Sequence, residues 1–289
     1  WDQLLDQMSF EDMSLLVNLG GWQTAQIDSV GKVATSDCDG PAGVNNFITG
    51  TYGTPYPTEV LMAQTWNTDL LYDLGLAMGQ EYADVNNYGV YGPAMNTHRS
   101  AFAGRNFEYY SEDGVLAGKL AAAQVNAMAT KGTYNYIKHF ALNDQETNRC
   151  AFLLTYSNEQ AIREIYLKPF ELCIKNFDGT QIAVMSSFNW IGTVPACANE
   201  DTLTTILRNE WGFQGMVITD YDGSYGYMIT DHCVRTGNDL MLGFSSQASN
   251  QLTNTESATL NNALRTSCKN IMYTIANSGY YTNTTDDSG

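Results

Sequence analysis

The sequence predicts an α/β fold, specifically a TIM-like (β/α)8 barrel in which one or two strands are irregular or missing. Three observations support this prediction. The length of 289 residues suits a barrel of alternating strands and helices, which typically needs about 250 residues. Short apolar runs alternate with longer segments of helical periodicity. Polar side chains follow the end of almost every apolar run.

The elements follow one another in a regular order. Six strand-like runs are readable: KVATSD, GVYGP, YIKHFAL, QIAVMSSF, GMVITDYD and DLMLG. Helical spacing is predicted for residues 1–17, 67–85, 113–130, 158–176, 200–211 and 257–277. Strands that alternate with helices are typical of a parallel sheet with both faces covered. We therefore assign residues 1–278 to one barrel domain and the turn-rich residues 279–289 to a polar tail or linker.

Composition excludes several classes of function. The formal charge is −17, from 31 acidic and 14 basic residues, so a nucleic-acid partner is not expected. There is no polybasic stretch for a membrane surface and no apolar run near the ~20 residues of a membrane span. The six cysteines are widely spaced and are interpreted as free thiols, which favours a cytoplasmic location. A start at Trp1 rather than Met suggests that an upstream region was removed.

Polar residues collect at the carboxyl ends of the predicted strands. The groups are Asp37 with Asp39, His98 with Arg105, Lys138 with His139, Ser186 with Ser187, and Asp220 with Asp222. The carboxyl ends of the strands in a parallel barrel form the face that carries the active site. The pattern predicts an enzyme.

Asp220 is the strongest catalytic candidate. It directly follows the buried run 216–219, where an unpaired carboxylate would be costly. Arg105, Lys138 and His139 come from neighbouring units, and cations there would lower its pKa and keep it ionised as a nucleophile. The alternative is a structural role, in which Asp220 caps a helix or pairs with an arginine.

Other candidates also have alternative roles. Arg105 could pair with Glu108 one helical turn on, and Lys138 could form a Schiff base. His139 could bind a metal, although no second histidine stands at ligand spacing. His98 and His232 are interpreted as ordinary hydrogen-bonding residues. The sequence leaves open whether Glu146 and Arg149 touch a substrate.

Four segments together resemble the β-glucosidases of glycoside hydrolase family 3: DGPAGV, GRNFEYYSED, KHFALNDQETNR and the stretch from VMSSFNW to ITDYDG. They occur in that family's order and cover about residues 33–243. The resemblance implies a retaining enzyme that releases terminal β-linked glucose, with Asp220 as nucleophile and no cofactor or metal. It implies that Asp39 holds the outer sugar hydroxyls and that Arg105, Lys138 and His139 bind the others. Met185, Phe188 and Tyr221 would also contact the substrate.

The sequence departs from the family pattern at three positions. Asn45 stands where the family commonly has an arginine that reaches the sugar. Phe188 replaces a tyrosine and Tyr221 replaces a tryptophan. These differences leave the sugar undetermined, so a β-xylosidase with the same mechanism is an alternative.

A retaining mechanism needs a second carboxyl group about 5–5.5 Å from the nucleophile. In the family this carboxyl group usually belongs to an α/β sandwich domain that follows the barrel. Other members use a catalytic histidine in a KHxPGxG-type loop, and this chain has KHFALND at that position. We therefore expect the acid/base group to lie outside this chain, in a separate domain or chain. In some members of the family the sandwich domain stands before the barrel. Asp222 is the best internal candidate.

Two other functional classes remain open. A non-catalytic sugar-binding barrel would keep Asp39, Arg105 and Lys138 but would work without the second carboxyl. A lyase or aldolase would use Lys138 as a Schiff base.

Overall fold

A computed structural model describes residues 1–223 and 225–282, so residues 283–289 of the predicted tail lie outside the described part. Parallel strands form the centre of the molecule, and helices cover them. The strands are β1 (Gln23–Thr24), β2 (Thr35–Asp39), β3 (Asn45–Asn46), β4 (Thr51–Tyr52), β5 (Gly89–Tyr91), β6 (Tyr134–Phe140), β7 (Leu154–Thr155), β8 (Ile182–Ser186), β9 (Trp190–Ile191), β10 (Val194–Pro195) and β11 (Val217–Ile218).

The main sheet has the order β11-β8-β6-β5-β2-β3-β4. Strands β11, β8, β6, β5 and β2 are parallel, whereas β3, β4 and β1 are antiparallel to their neighbours. Strands β7, β9 and β10 form a small separate sheet. The fold is therefore α/β with a mixed sheet, and the carboxyl ends of its five parallel strands share one edge.

The sixth predicted strand, DLMLG, is not a regular strand. It makes a single bridge between Leu240 and Ile218. The Asp239 carboxylate explains this irregularity, because it accepts hydrogen bonds from the Val217 amide at 2.8 Å and from Arg208 at 2.6 Å. Burial raises the pKa of Asp239, although Arg208 opposes the shift.

Irregular segments connect the two ends of the parallel ladder. The Met241 amide donates to the Val17 carbonyl at 2.9 Å, and the Gly21 amide donates to Gly243 at 2.9 Å. The Asp37 amide in turn donates to Trp22 at 2.9 Å. Residues 239–243 and 20–22 thus lie between β11 and β2, although regular strands do not close a barrel within the described residues.

Helices match most of the predicted segments. They are α1 (Asp2–Leu5), α2 (Phe10–Asn18), α3 (Glu59–Ala63), α4 (Thr68–Asp84), α5 (Gly114–Ala129), α6 (Glu159–Ala161), α7 (Lys168–Lys175), α8 (Thr230–Thr236), α9 (Ala258–Ala276) and α10 (Gly279–Thr282). Two further segments, Ile162–Tyr166 and Asp201–Glu210, are π-helical. No helix of the described residues is long and apolar enough to cross a bilayer.

The predicted helix over residues 1–17 is wrong as a single element. It is split into α1 and α2 because Ser9 caps the second helix: its hydroxyl accepts from the Asp12 amide, and Asp12 accepts from the Ser9 amide. The predicted helix 158–176 is likewise divided. Pro169 stands in the first turn of α7, where its missing amide costs little, but it cannot continue a preceding helix.

Close helix packing depends on small residues. A side chain at Gly75 of α4 would place its Cβ 2.5 Å from the Gln124 carbonyl of α5, so only glycine allows this approach. Helix α5 also packs on α7, and together they cover one face of the sheet.

The boundary of the predicted tail is corrected. Residues 279–282 form helix α10 and attach to the body of the fold. The Tyr280 hydroxyl accepts from the Ser36 amide at 2.8 Å, and its ring meets Tyr88 at 4.9 Å between centroids. Tyr280 thus packs with its apolar ring and accepts a hydrogen bond through its hydroxyl. The polar composition of the tail did not predict either contact.

We expect Asn67→Ala to lower the free energy of unfolding by about 1 kcal/mol. The Asn67 side-chain oxygen accepts from the Asp69 and Leu70 amides at 3.0 and 3.1 Å, and alanine leaves both donors without this cap. Chemical denaturation measures the effect. Asn67→Asp is the matched control, because aspartate caps equally well; an equal loss in both variants would contradict the capping role.

Candidate active site

The carboxyl ends of β2, β6 and β11 bring the main predicted site residues together. Asp39 ends β2, Lys138 and His139 lie in β6, and Asp220 follows β11. Consecutive strand residues normally point to opposite faces. The register of β6 against β8 shifts between Ile137 and Phe140. Here Lys138 contacts Glu108 and His139 contacts Asp220, so both side chains lie among the charged residues of the site.

Asp220 is buried, with 8% of its surface exposed. Its Oδ1 accepts from the Tyr221 amide at 2.7 Å. Its Oδ2 has no hydrogen-bond donor among the described residues, and its cationic or polar neighbours stand back, with Arg149 Nη1 at 3.8 Å and His139 Nε2 at 3.7 Å. The carboxylate is thus anchored through one oxygen, and the other retains its lone pairs.

The predicted fall in the pKa of Asp220 is wrong in direction. Burial raises the pKa above its usual value, and the attraction of Arg149, Arg105 and Lys138 offsets the rise only in part. The sequence revealed the nearby cations but not how completely water is removed from the carboxyl group.

His139 is neutral in this site. Burial lowers the pKa of its imidazole well below the usual value, and the neighbouring cations Arg105, Lys138 and Arg149 lower it further. Its Nδ1 lies 3.3 Å from the Tyr109 hydroxyl, and its backbone pairs with the Asn96 side chain. The contact with Asp220 is therefore between a neutral ring and a carboxyl group, not an ion pair.

Arg105 and Lys138 share a carboxylate. Arg105 donates two hydrogen bonds to Glu108, at 2.7 and 2.9 Å, and Lys138 Nζ lies 3.0 Å from the same group. Burial opposes ionisation of Glu108, but the two cations prevail and lower its pKa to about 2. The Arg105–Glu108 pair considered from sequence spacing is confirmed. The ion pair with Glu108 occupies the Lys138 amine, which weighs against the Schiff-base alternative.

Asp39 is held by a residue that the sequence did not reveal. The Trp22 indole donates to Asp39 Oδ2 at 2.9 Å. The Trp22 ring also meets Phe47 at 4.9 Å and Tyr221 at 5.8 Å between centroids. Trp22 is a partner from an irregular segment, so no strand or helix pattern pointed to it.

A cavity of about 630 Å³ opens beside these groups. Its wall combines the β2–β4 region with three of the charged residues. The wall consists of Asp39, Gly40, Pro41, Ala42, Gly43, Val44, Asn45, Tyr52, Gly53, Thr54, Pro55, Arg105, Glu108 and Lys138. Asp39, Arg105 and Lys138 therefore face one space, and Asn45 lines the same cavity.

Arg149 and Glu146, left open by the sequence, both belong to this cluster. Arg149 Nε lies 2.9 Å from Glu146 Oε2, and its Nη1 faces Asp220. The guanidinium also lies 4.4 Å from the centre of the Phe188 ring. Phe188 is only 2% exposed, and its ring packs against the Arg149 guanidinium.

Several predicted residues lie away from the cavity. Met185 is buried in the central apolar cluster with Met216 and Ile218. Ser186 bonds Asn238 and Ser187 bonds the Ala141 carbonyl, so both hydroxyls serve the scaffold.

The two histidines outside the cluster have different environments. The His98 ring bonds the Tyr109 carbonyl at 2.8 Å, in agreement with its predicted role. His232 lies exposed on α8.

The two aspartates next to the main candidates are also structural. Asp37 is fully buried and binds the hydroxyls of Tyr134 and Tyr136, and burial raises its pKa to about 6. Asp222 is fully buried, and its carboxylate accepts from Ser249 at 2.9 Å. The full burial of Asp222 and its bond from Ser249 argue against Asp222 as the acid.

The described residues contain no group of three histidine, cysteine or acidic side chains arranged to hold a metal ion. All six cysteines are free, as predicted.

Comparison with known proteins identifies the family of this chain. A family model described as the glycosyl hydrolase family 3 N terminal domain matches residues 24–252. The chain belongs to glycosyl hydrolase family 3. The resemblance inferred from the four motifs is thereby confirmed.

Relatives within family 3 are similar in sequence and in fold. β-Glucosidase A of Butyrivibrio fibrisolvens is 39% identical over 250 residues, which are 84% of this chain and 29% of that protein. The structure of β-glucosidase 3B from Thermotoga neapolitana in complex with α-D-glucose matches with a TM-score of 0.84 and 31% identity, covering 98% of this chain and 43% of that one. The structure of the Bifidobacterium adolescentis β-glucosidase matches with a TM-score of 0.87 and 27% identity, covering 99% of this chain and 41% of that one. The chain thus spans less than half of each of these proteins.

Glu59 is a further buried carboxyl group, close to the backbone that pairs with Lys138. It is 1% exposed, and its Oε1 lies 3.5 Å from the amide of Ala94, which bridges to both Lys138 and Tyr109. Burial and the nearby Glu108 raise the pKa of Glu59 to about 8, so it is protonated at neutral pH.

We expect Glu59→Gln to stabilise the protein increasingly from about pH 4.5 to pH 8. In the unfolded chain this carboxyl ionises near its usual 4.5, whereas the folded protein keeps the proton up to about pH 8, so the wild type loses stability as pH rises through this window. The difference should grow by up to about 1.4 kcal/mol per pH unit. Denaturation curves across this range measure it, with the surface variant Glu112→Gln as control. A constant difference at all pH values would contradict the raised pKa.

Proposed function

We propose that this chain is the catalytic barrel of a retaining, exo-acting β-glucosidase. The observation that carries the proposal is the buried Asp220 carboxylate, which is anchored through Oδ1 and whose Oδ2 has no donor within residues 1–223 and 225–282. A carboxylate nucleophile needs a free oxygen next to groups that hold the sugar. The names of the relatives support glucose as the sugar.

We also propose that the fold is a TIM-like barrel closed by irregular segments. The backbone bonds from Met241 to Val17 and from Gly21 to Gly243 support this closure. Active sites of such barrels lie at the carboxyl ends of the strands, where Asp220 and Lys138 stand.

In the proposed mechanism, Asp220 Oδ2 attacks the anomeric carbon, and the bond from that carbon to the leaving oxygen breaks. The leaving oxygen takes a proton from a general acid, and a covalent glycosyl-enzyme forms. Water then attacks the same carbon, gives its proton to the same group, and releases Asp220. Arg149 and neutral His139 face the attacking oxygen, so its charge is stabilised without a donor that would block it.

Asp39, Arg105 and Lys138 would bind the sugar hydroxyls. Each of them is a charged group, and a hydrogen bond to such a group is worth about 1.5–3 kcal/mol. Because Glu108 holds both Arg105 and Lys138, their donors are positioned before the sugar arrives. The role of Tyr221 would be to extend the aromatic surface formed with Trp22.

The acid/base group would come from a second domain or chain. Asp222 is buried against Ser249, and Glu108 is bound to two cations, so neither carboxyl group is available to a leaving oxygen. The much greater length of the family 3 relatives is consistent with an additional domain.

We expect Asp220→Asn to reduce kcat by about 10³-fold or more while the fold is retained, because the amide cannot form the glycosyl-enzyme. Steady-state kinetics on nitrophenyl β-glucoside measure the loss. Asp222→Asn is the matched control two residues away and should retain most of the activity. Peptide mapping after treatment with a 2-deoxy-2-fluoro glucoside should place the label on Asp220; a label on another residue would refute the assignment.

We expect residues 1–289 alone to be unable to hydrolyse cellobiose. General acid catalysis typically contributes about 10²–10⁴ in rate, and a natural leaving group needs that proton. A dinitrophenyl leaving group does not, so the folded chain should release one equivalent of dinitrophenolate and then stall.

Azide, or the missing domain, should restore turnover of the stalled chain. Burst kinetics with dinitrophenyl β-glucoside, compared with cellobiose, measure both steps. Full cellobiase activity of the isolated chain would show that the acid lies within it.

A further inference from the structure

The two ring nitrogens of His139 have different neighbours. Nε2 lies 3.7 Å from Asp220 Oδ2, and Nδ1 lies 3.3 Å from the Tyr109 hydroxyl. A neutral imidazole carries one proton, so one nitrogen donates a hydrogen bond and the other accepts one. The hydrogen bond at Nδ1 therefore determines whether Nε2 presents a hydrogen or a lone pair to Asp220.

Asn143 restricts the hydrogen bonding of the Tyr109 hydroxyl. The Asn143 side chain is completely buried, and its Nδ2 donates to Tyr109 Oη and to Glu146 Oε1, both at 3.1 Å. The Glu146 carboxylate is paired with Arg149 at 2.9 Å and can only accept, so the amide must turn its NH₂ group towards Glu146. The Tyr109 oxygen therefore accepts from Asn143.

The hydroxyl proton of Tyr109 is then available to His139. Burial raises the pKa of this hydroxyl above its usual value, so the proton is retained. Two acceptors lie within reach: His139 Nδ1 at 3.3 Å and the Asn143 carbonyl at 3.4 Å.

The surroundings of His139 favour donation to Nδ1. If the proton went to the Asn143 carbonyl, Nδ1 would either face the Tyr109 oxygen without a bond or donate to it. In the second case Nε2 would turn its lone pair towards Asp220, which repels it once Asp220 is ionised, as the proposed nucleophile must be. Both arrangements cost free energy in a buried site, and donation from Tyr109 to Nδ1 avoids both.

We propose that Asn143 and Tyr109 are positioning residues that hold His139 as the tautomer with its hydrogen on Nε2. That hydrogen presents the positive end of the ring dipole to the Asp220 oxygen that would attack the sugar. A separation of 3.7 Å is too long for a hydrogen bond, so the charge is stabilised while the lone pairs stay free. The kinetic consequence rests on the proposed function, whereas the tautomer can be measured without any activity.

Nitrogen NMR of the protein containing isotope-labelled histidine measures the tautomer directly, because protonated and unprotonated ring nitrogens resonate in separate regions. The chain has only three histidines, and the signals of His139 are those lost in His139→Gln. We expect a protonated Nε2 and an unprotonated Nδ1 in the wild-type protein. A protonated Nδ1 would overturn the inference.

Tyr109→Phe tests the donor to Nδ1. The substitution removes the hydroxyl but keeps the buried ring, so the Nδ1 signal should move to higher frequency as its donor is lost. Tyr110→Phe is the matched control: this neighbouring tyrosine is also buried, but its hydroxyl donates to Gln124. It should leave the His139 signals in place. An unchanged Nδ1 signal in Tyr109→Phe would contradict the proposal.

Asn143→Asp should reverse the tautomer. A carboxyl group there accepts the Tyr109 proton, whether it is ionised or shares a proton with Glu146, and the Tyr109 oxygen is left to accept from Nδ1. We expect the His139 proton to shift towards Nδ1 and to return to Nε2 when Tyr109→Phe is added. A purely structural role for Asn143 would leave the tautomer unmoved, which would refute the proposal. If Asn143→Asp does not fold, the wild-type and Tyr109→Phe spectra decide.

Burst kinetics with dinitrophenyl β-glucoside test the consequence for the reaction. We expect Asn143→Asp to slow glycosylation by about tenfold, equivalent to about 1.4 kcal/mol, and the double variant to be faster than Asn143→Asp alone. Additive losses in the double variant would contradict the relay through Tyr109. If the wild-type protein gives no burst, the proposed function fails, and the NMR spectra still test the tautomer. A wild-type burst with the proton on Nδ1 would overturn this inference alone.

Discussion

The burial of a carboxylate at the end of β11 is the constraint on which the site depends. Removing Asp220 from water raises its pKa, and the surrounding cations must offset that cost. The side chains of those cations are at most a quarter exposed, and each pairs with a further carboxylate: Glu146 contacts Arg149, and Glu108 contacts Arg105 and Lys138. The result is a set of alternating charges in which one oxygen of Asp220 has no donor from the described part of the chain.

This arrangement follows from the parallel sheet. Parallel strands deliver their carboxyl ends to one edge, so Asp39, Lys138 and Asp220, which are distant in sequence, lie at the same edge. The irregular parts of the chain then complete the surroundings. Trp22 positions Asp39 from the segment before β1, and the loop after β6 supplies Glu146 and Arg149. The strand ends therefore carry Asp39, Lys138 and Asp220, whereas Trp22, Glu146 and Arg149 come from irregular segments.

The same edge separates two regions with different chemistry. Around Asp220 the groups are mostly charged and largely shielded from water, which suits a reacting centre. Along the β3–β4 hairpin the cavity wall is mostly neutral and includes the exposed ring of Tyr52. Asp39, Arg105 and Lys138 also belong to the wall of this cavity.

The sequence by itself determined the alternation of strands and helices, the family, and the grouping of Asp39, Arg105, Lys138, His139 and Asp220, because periodicity and motif order are local properties of the chain. Only the tertiary structure decided that Met185, Asp37 and Asp222 are buried away from the cavity, that Trp22 bonds Asp39, and that DLMLG is irregular. It also reversed the predicted direction of the pKa shift of Asp220. The physical reason is that solvent exclusion and long-range hydrogen bonds depend on which segments pack together, and no single segment carries that information.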